Sequence, residues 1–149
     1  MIPIIHKVNS IEKLNSLSDD VGIEIDIRFS GKELVLSHDI QEKEQNFEEY
    51  LANYKKQFIV ANIKESGIED KVEKILKEKK IEDYFFLDVE FPYILNNYKR
   101  LGNFLSVRYS KYESIESVSY FTNKVKWLWI DTYEEFEISQ EIAETIKSA

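Results

Sequence analysis

The chain holds two histidines, His6 and His38, each at the end of an extended apolar segment. An imidazole with its ordinary pKa of about 6.5 exchanges protons near neutrality, so a pair can serve as general base and general acid. Between them lies Glu24-Ile-Asp26. In an extended strand, residues two apart point the same way, so these two carboxylates share a face. Such a pair can hold a hard divalent cation through oxygen ligands. In a strand covered on both faces, uncompensated carboxylates are costly, so they demand a reason. Further polar residues close other apolar runs: Lys7, Asp39, Asn62, Lys64, Asp88, Glu90, Arg108 and Asp131.

These side chains need strands to present them. Gly22 to Arg28 alternates strictly, with Ile23, Ile25 and Ile27 on one face and Glu24, Asp26 and Arg28 on the other. A tight turn at Ser30-Gly31 and a second strand, Glu33 to Leu36, bring His38 and Asp39 back toward the end of the first. Pro3 to His6 reads as the opening strand, and Ser10 caps a helix to about Leu17. Asn46 caps the next helix, which carries Phe47, Tyr50, Leu51 and Tyr54. Gln57–Lys64 is the following strand, and Ile68–Lys80 a helix with a charged outer face. Strands are expected at Tyr84–Val89, Asn103–Ser110 and Lys126–Thr132. Helices are expected from Pro92 to about Arg100, from Ser114 to Phe121, and after Ser139 with Ile142 and Ile146 inward. Six strand–helix units in alternation predict a parallel sheet with helices outside, and in such folds the C-terminal ends of the strands carry the site.

Composition narrows the function. With 149 residues, 43% hydrophobic and 32% charged, the chain is expected to form a single soluble domain. A net charge of -8 disfavours nucleic acid and anionic membranes as partners. There is no cysteine, hence no disulfide or thiolate chemistry. No stretch reaches the roughly 20 apolar residues of a membrane span, and the N-terminus does not read as a signal peptide, so a cytoplasmic setting is the expectation.

The ordered set His6-Lys7, Glu24-Ile-Asp26, His38-Asp39 and Asn62-Ile-Lys64 resembles the glycerophosphodiester phosphodiesterases. That family shows His-Arg, Glu-x-Asp, His-Asp and Glu-Ile-Lys in the same order. The likeness is strongest from Pro3 to Lys64. The later Leu87-Asp88, Val107-Arg108-Tyr109-Ser110 and Trp129-Ile-Asp131 resemble a short bacterial subgroup of the superfamily. The resemblance implies a TIM-barrel fold, with His6 and His38 as the acid–base pair. It implies a Ca²⁺ or Mg²⁺ ion on Glu24 and Asp26. The expected activity is hydrolysis of a glycerophosphodiester-like or glycan-linked phosphodiester, with Lys7, Lys64 and Arg108 as phosphate-binding cations.

Three departures accompany it. Lys7 stands where the family has arginine and cannot fork two hydrogen bonds onto a phosphate in the same way. Asn62 stands where the family has a metal-binding glutamate, which makes Asp88 the candidate replacement ligand. The six units fall short of a barrel's eight, so the expected TIM-barrel-like parallel β/α fold is incomplete. The chain is then C-terminally truncated, or a homo-oligomeric partner helps close the sheet. A non-catalytic relative that binds a phosphorylated ligand or a protein is the competing expectation.

Overall fold

A computed structural model describes residues 1–40, 43–121, 123–132 and 143–144. The chain divides into two compact units, Met1–Phe86 and Leu87–Ala149.

The first unit is organised on β2 (Gly22–Ser30). Ile23, Ile25 and Ile27 are fully buried, and burial of each isoleucine side chain contributes roughly 1.5–3 kcal/mol. Glu24 and Asp26, on the opposite face, are buried as well, so the strand is covered on both sides, as the sequence suggests. β5 (Phe58–Ile63) runs parallel along one edge, pairing Gly22 with Phe58 and Asp26 with Asn62. The other edge is shared. β1 (Ile4–Ile5) pairs in parallel with Gly22 and Ile23. β3 (Glu33–Leu36) pairs antiparallel from Ile27 to Ser30. Gly22 makes this crowding workable, because a Cβ there would lie 2.4 Å from Ile4 Cδ1 and 3.2 Å from Phe58 Cβ. At the hairpin turn, Gly31 takes φ +63°, a conformation that glycine adopts without steric cost.

β4 (Gln45–Asn46) adds antiparallel to β3, and β6 (Tyr84–Leu87) lies beyond β5, giving the order β4-β3-β2-β5-β6 with β1 alongside β2. Helix α1 (Ile11–Ser16) starts at Ser10, whose hydroxyl accepts the Lys13 N–H. Helix α2 (Phe47–Ala52) starts at Asn46, whose side-chain oxygen accepts the Glu49 N–H at 3.0 Å. Both caps were legible in the sequence. α3 (Glu69–Glu78) buries Val72, Ile75 and Leu76, as its periodicity predicts.

The expectation of a TIM-barrel-like parallel β/α fold is overturned. The sheet is mixed, and no barrel closes among the described residues. The cause is local: no helix separates β2 from β3, so the tight turn folds β3 straight back onto β2. β3 then occupies part of the edge that a parallel neighbour would need, and only the two-residue β1 pairs in parallel beside it.

In the second unit, α4 (Phe91–Leu101) carries Pro92 in its first turn, where a missing N–H costs no hydrogen bond. A 3₁₀ turn at Gly102–Phe104 takes the start of the expected strand at Asn103–Ser110, leaving β7 (Ser106–Tyr109). After α5 (Ile115–Phe121), β8 (Trp127–Ile130) pairs in parallel with β7, Arg108 opposite Trp129. The Phe91 and Phe121 rings stack with centroids 5.4 Å apart and planes nearly parallel. The expected final helix with Ser139, Ile142 and Ile146 lies outside the described residues. Among the described residues, no helix is long and apolar enough to cross a membrane.

Candidate functional site

The site follows from the β2–β5 register. Opposing Asp26 and Asn62 places their side chains on one face, with Glu24 two residues back on the same face. All three are inside: Glu24 is 3% exposed, Asp26 0% and Asn62 7%. Each carboxylate is surrounded by N–H donors. Glu24 Oε2 accepts the main-chain N–H of Lys7 at 2.7 Å, and its Oε1 accepts Asn62 Nδ2 at 2.9 Å. Asp26 Oδ1 accepts the same Asn62 Nδ2 at 3.2 Å and faces Lys64 Nζ at 3.1 Å. Two carboxylate oxygens therefore converge on one buried amide nitrogen. The other end of that amide, Asn62 Oδ1, is buried without a hydrogen-bond partner. An orphaned acceptor of this kind costs roughly 1–3 kcal/mol.

Two residues absent from the sequence-based site complete it. Asn9 fills the stretch of β2's edge between β1 and β3. Its Oδ1 accepts the Asp26 N–H at 2.9 Å, and its Nδ2 donates to Asp26 Oδ2 at 2.8 Å. The main chain on either side is stitched down as well, Val8 N–H to the Glu24 carbonyl and Ser37 N–H to the Asp26 carbonyl. Lys13, on α1, donates from Nζ to the carbonyls of His6 and Lys7 at 2.9 and 3.0 Å. Those bonds hold a turn in which Lys7 has φ 54°, an uncommon conformation for a residue with a Cβ. The turn aims the Lys7 N–H at Glu24. Asn9 carries a faint signal, since asparagine readily pairs with main-chain groups. Lys13 carries none.

His6 stands beside this cluster, and His38 follows Ser37, whose N–H is bonded to the Asp26 carbonyl. His6 Nδ1 lies 3.9 Å from Glu24 Oε2, an ion-pair distance when the ring is protonated, and its side chain is 59% exposed. His38 follows Ser37 and places Nδ1 3.1 Å from Asp39 Oδ2. That hydrogen bond from His38, aided by its charge, holds the Asp39 carboxyl below its usual range. The main-chain carbonyl of His38 accepts Arg28 Nη2 at 2.8 Å, while Arg28 Nη1 reaches Glu65 at 3.4 Å. The structure thus brings His6, Lys7, Glu24, Asp26, His38, Asn62 and Lys64 into one unit.

Asp88 and Arg108 belong to the second unit. Arg108 donates from Nε to Asp88 Oδ1 at 3.1 Å, pairs with the same carboxylate through Nη2, and reaches Asp131 through Nη1. Trp129 Nε1 adds a bond to Asp131 Oδ1 at 2.9 Å. Asp88 has φ 60°. Within that unit Arg108 is engaged by two carboxylates.

Could the pair in the first unit hold a hard cation? Glu24 and Asp26 supply converging oxygens, and the partnerless Asn62 Oδ1 is a third oxygen on the side chain between them. An all-oxygen set of this kind suits Ca²⁺ or Mg²⁺. Among the described residues, no three His, Cys, Asp or Glu side chains form a group that could hold a metal ion, so such a set depends on the asparagine.

Fold and site define a mixed α/β sheet protein with a buried, amide-bridged carboxylate pair and His6 beside it. No family model, no curated protein and no solved structure matches the chain.

Proposed function

We propose that the first unit carries a phosphodiester hydrolase site, acting on a glycerophosphodiester-like or glycan-linked phosphodiester. The observation that carries this reading is that His6 lies 3.9 Å from the buried Glu24 carboxylate, while His38, paired with the exposed Asp39, follows Ser37, whose N–H is bonded to the Asp26 carbonyl. In this reading a substrate hydroxyl next to the phosphodiester attacks phosphorus, and one histidine takes its proton. The other histidine protonates the departing oxygen, so one P–O bond forms as another breaks. Water then opens the cyclic ester with the proton roles reversed. Glu24 supports the imidazolium of His6, and Asp39 orients the His38 ring. Lys64 and Lys7 offer positive charge to the phosphate. Glu24, Asp26 and Asn62 are the residues that would hold a divalent cation, which when bound supplies Lewis-acid stabilisation of the phosphoryl oxygens.

A second reading, a non-catalytic binder of a phosphorylated ligand, is favoured by one observation: Asn62 and Lys64 already compensate the carboxylates with N–H donors. One experiment separates the two. The purified chain is incubated with glycerophosphodiesters, with Ca²⁺ or Mg²⁺ and with chelator. Hydrolysis that falls by about 10²-fold or more in His6→Ala and His38→Ala supports the enzyme. Hydrolysis that survives both chelator and His38→Ala refutes it. Binding of phosphorylated ligand without turnover establishes the second reading.

A further inference from the structure

We propose that Asn62 is a two-position ligand: its amide bridges Glu24 and Asp26 when no cation is present and turns over to give its oxygen to a divalent cation when one enters. The inference rests on the reading that this carboxylate pair takes a hard cation. It is drawn from one amide. Nδ2 donates to Glu24 Oε1 at 2.9 Å and Asp26 Oδ1 at 3.2 Å, while Oδ1 is buried and lacks a partner. A structural asparagine in a sheet interior normally satisfies both ends of its amide. Here one end is doubly used and the other is left over.

A carboxamide is nearly symmetric in shape but opposite in polarity at its two ends. Turning it by half a rotation therefore needs little space, yet it reverses the charge facing the carboxylates. Without a cation, oxygen facing two carboxylates is repulsive, so nitrogen must face them. With a dication between the carboxylates, the N–H groups are repelled and the carbonyl oxygen is attracted. The same side chain suits both states, whereas a carboxylate at this position would suit only the occupied one. The register of β5 on β2 fixes the amide beside Asp26, so the change is confined to rotation about the side chain. Lys64 is the second group that must respond. Its ammonium lies 3.1 Å from Asp26 Oδ1 and, being partly exposed, can swing away from an arriving cation. Entry of the cation thus frees a positive charge beside the place where a phosphate would bind.

The test uses the full chain titrated with CaCl2 and MgCl2. Calorimetry gives the affinity, and the side-chain amide of Asn62 is followed by ¹⁵N NMR. The expected result is saturable binding, with the Asn62 NH₂ protons shifting as they leave the carboxylates. Lys64→Gln should bind about tenfold more tightly, because a competing charge has gone, and Asn62→Leu about tenfold or more weakly. Asn62→Asp should melt lower in chelator and recover on adding Ca²⁺. Saturation with the Asn62 amide resonances unmoved overturns the inference and leaves the hydrolase reading standing. Amide-coupled binding without hydrolysis sustains the inference and removes the hydrolase. Complete silence to either cation overturns the inference, and hydrolysis decides the rest.

Discussion

Replacing Asn9 by alanine tests the side chain that holds the middle of β2's edge. Asn9 performs the work of a missing strand residue. Its Oδ1 takes the Asp26 N–H at 2.9 Å and its Nδ2 caps Asp26 Oδ2 at 2.8 Å. Asn9→Ala strands a main-chain donor, at roughly 1–3 kcal/mol, and removes a hydrogen bond to a charged acceptor worth roughly 1.5–3 kcal/mol. Asn9 is only half-buried, so water recovers part of this. The net loss works out at about 2–4 kcal/mol, an apparent melting drop of roughly 5–15 °C for a chain of this size. Urea unfolding followed by far-UV circular dichroism reads it directly, with the midpoint moving and the slope constant. Asn9→Asp keeps the acceptor but sets a second carboxylate against Asp26, so it should be no better than alanine at neutral pH. A loss below about 0.5 kcal/mol in Asn9→Ala would refute the account, because surface substitutions of no structural consequence fall in that range.

Other outcomes follow from single groups. Tyr50 and Tyr54 sit in the same helical region, and burial raises both phenol pKa values, but their hydroxyls differ. Tyr50 donates to the Val8 carbonyl at 2.7 Å, so Tyr50→Phe should cost about 1–2 kcal/mol in a urea titration. The buried Tyr54 hydroxyl has no partner, so Tyr54→Phe should be neutral or stabilising by up to about 1 kcal/mol in the same assay. Gly22→Ala should destabilise by about 1–3 kcal/mol, since Ile4 and the Phe58 main chain must both give way. The Asp39 carboxyl should titrate below its ordinary 3.8 and return toward it in His38→Gln, as read by carboxyl ¹³C shifts. Because the folded value is depressed, this pair favours the fold above the ordinary carboxylate range. The contribution disappears as pH falls through the depressed value.

Much of the site could be read from residue order because its core is local. Alternation placed Glu24 and Asp26 on one strand face, and the Ser30-Gly31 turn returned the chain to His38. The helix caps at Ser10 and Asn46 are equally local, each set by one side chain and the N–H three residues on. Strand direction was readable only at the Ser30-Gly31 hairpin. Periodicity reports which face is buried but not whether a neighbour runs parallel, so a hairpin inside an alternating α/β pattern was absorbed into an imagined barrel. Asn9 escaped notice because its partner is 17 residues away and depends on where β1 ends. The Gly102–Phe104 turn escaped because its apolar Phe104 continues the strand pattern of Leu105 and Val107.

The shared edge of β2 has a kinetic consequence. Between β1 and β3, the Asp26 amide is held by a side chain, whereas its neighbours in the β2–β5 ladder are held by main chain to main chain. A ladder bond breaks only when strands part, but a side-chain acceptor can swing away alone. Hydrogen–deuterium exchange at Asp26 should therefore proceed by local fluctuation, weakly dependent on denaturant, while the β2–β5 amides wait for cooperative opening. The middle of β2 is then expected to contain a fast-exchanging point, and it coincides with the buried Asp26 carboxylate.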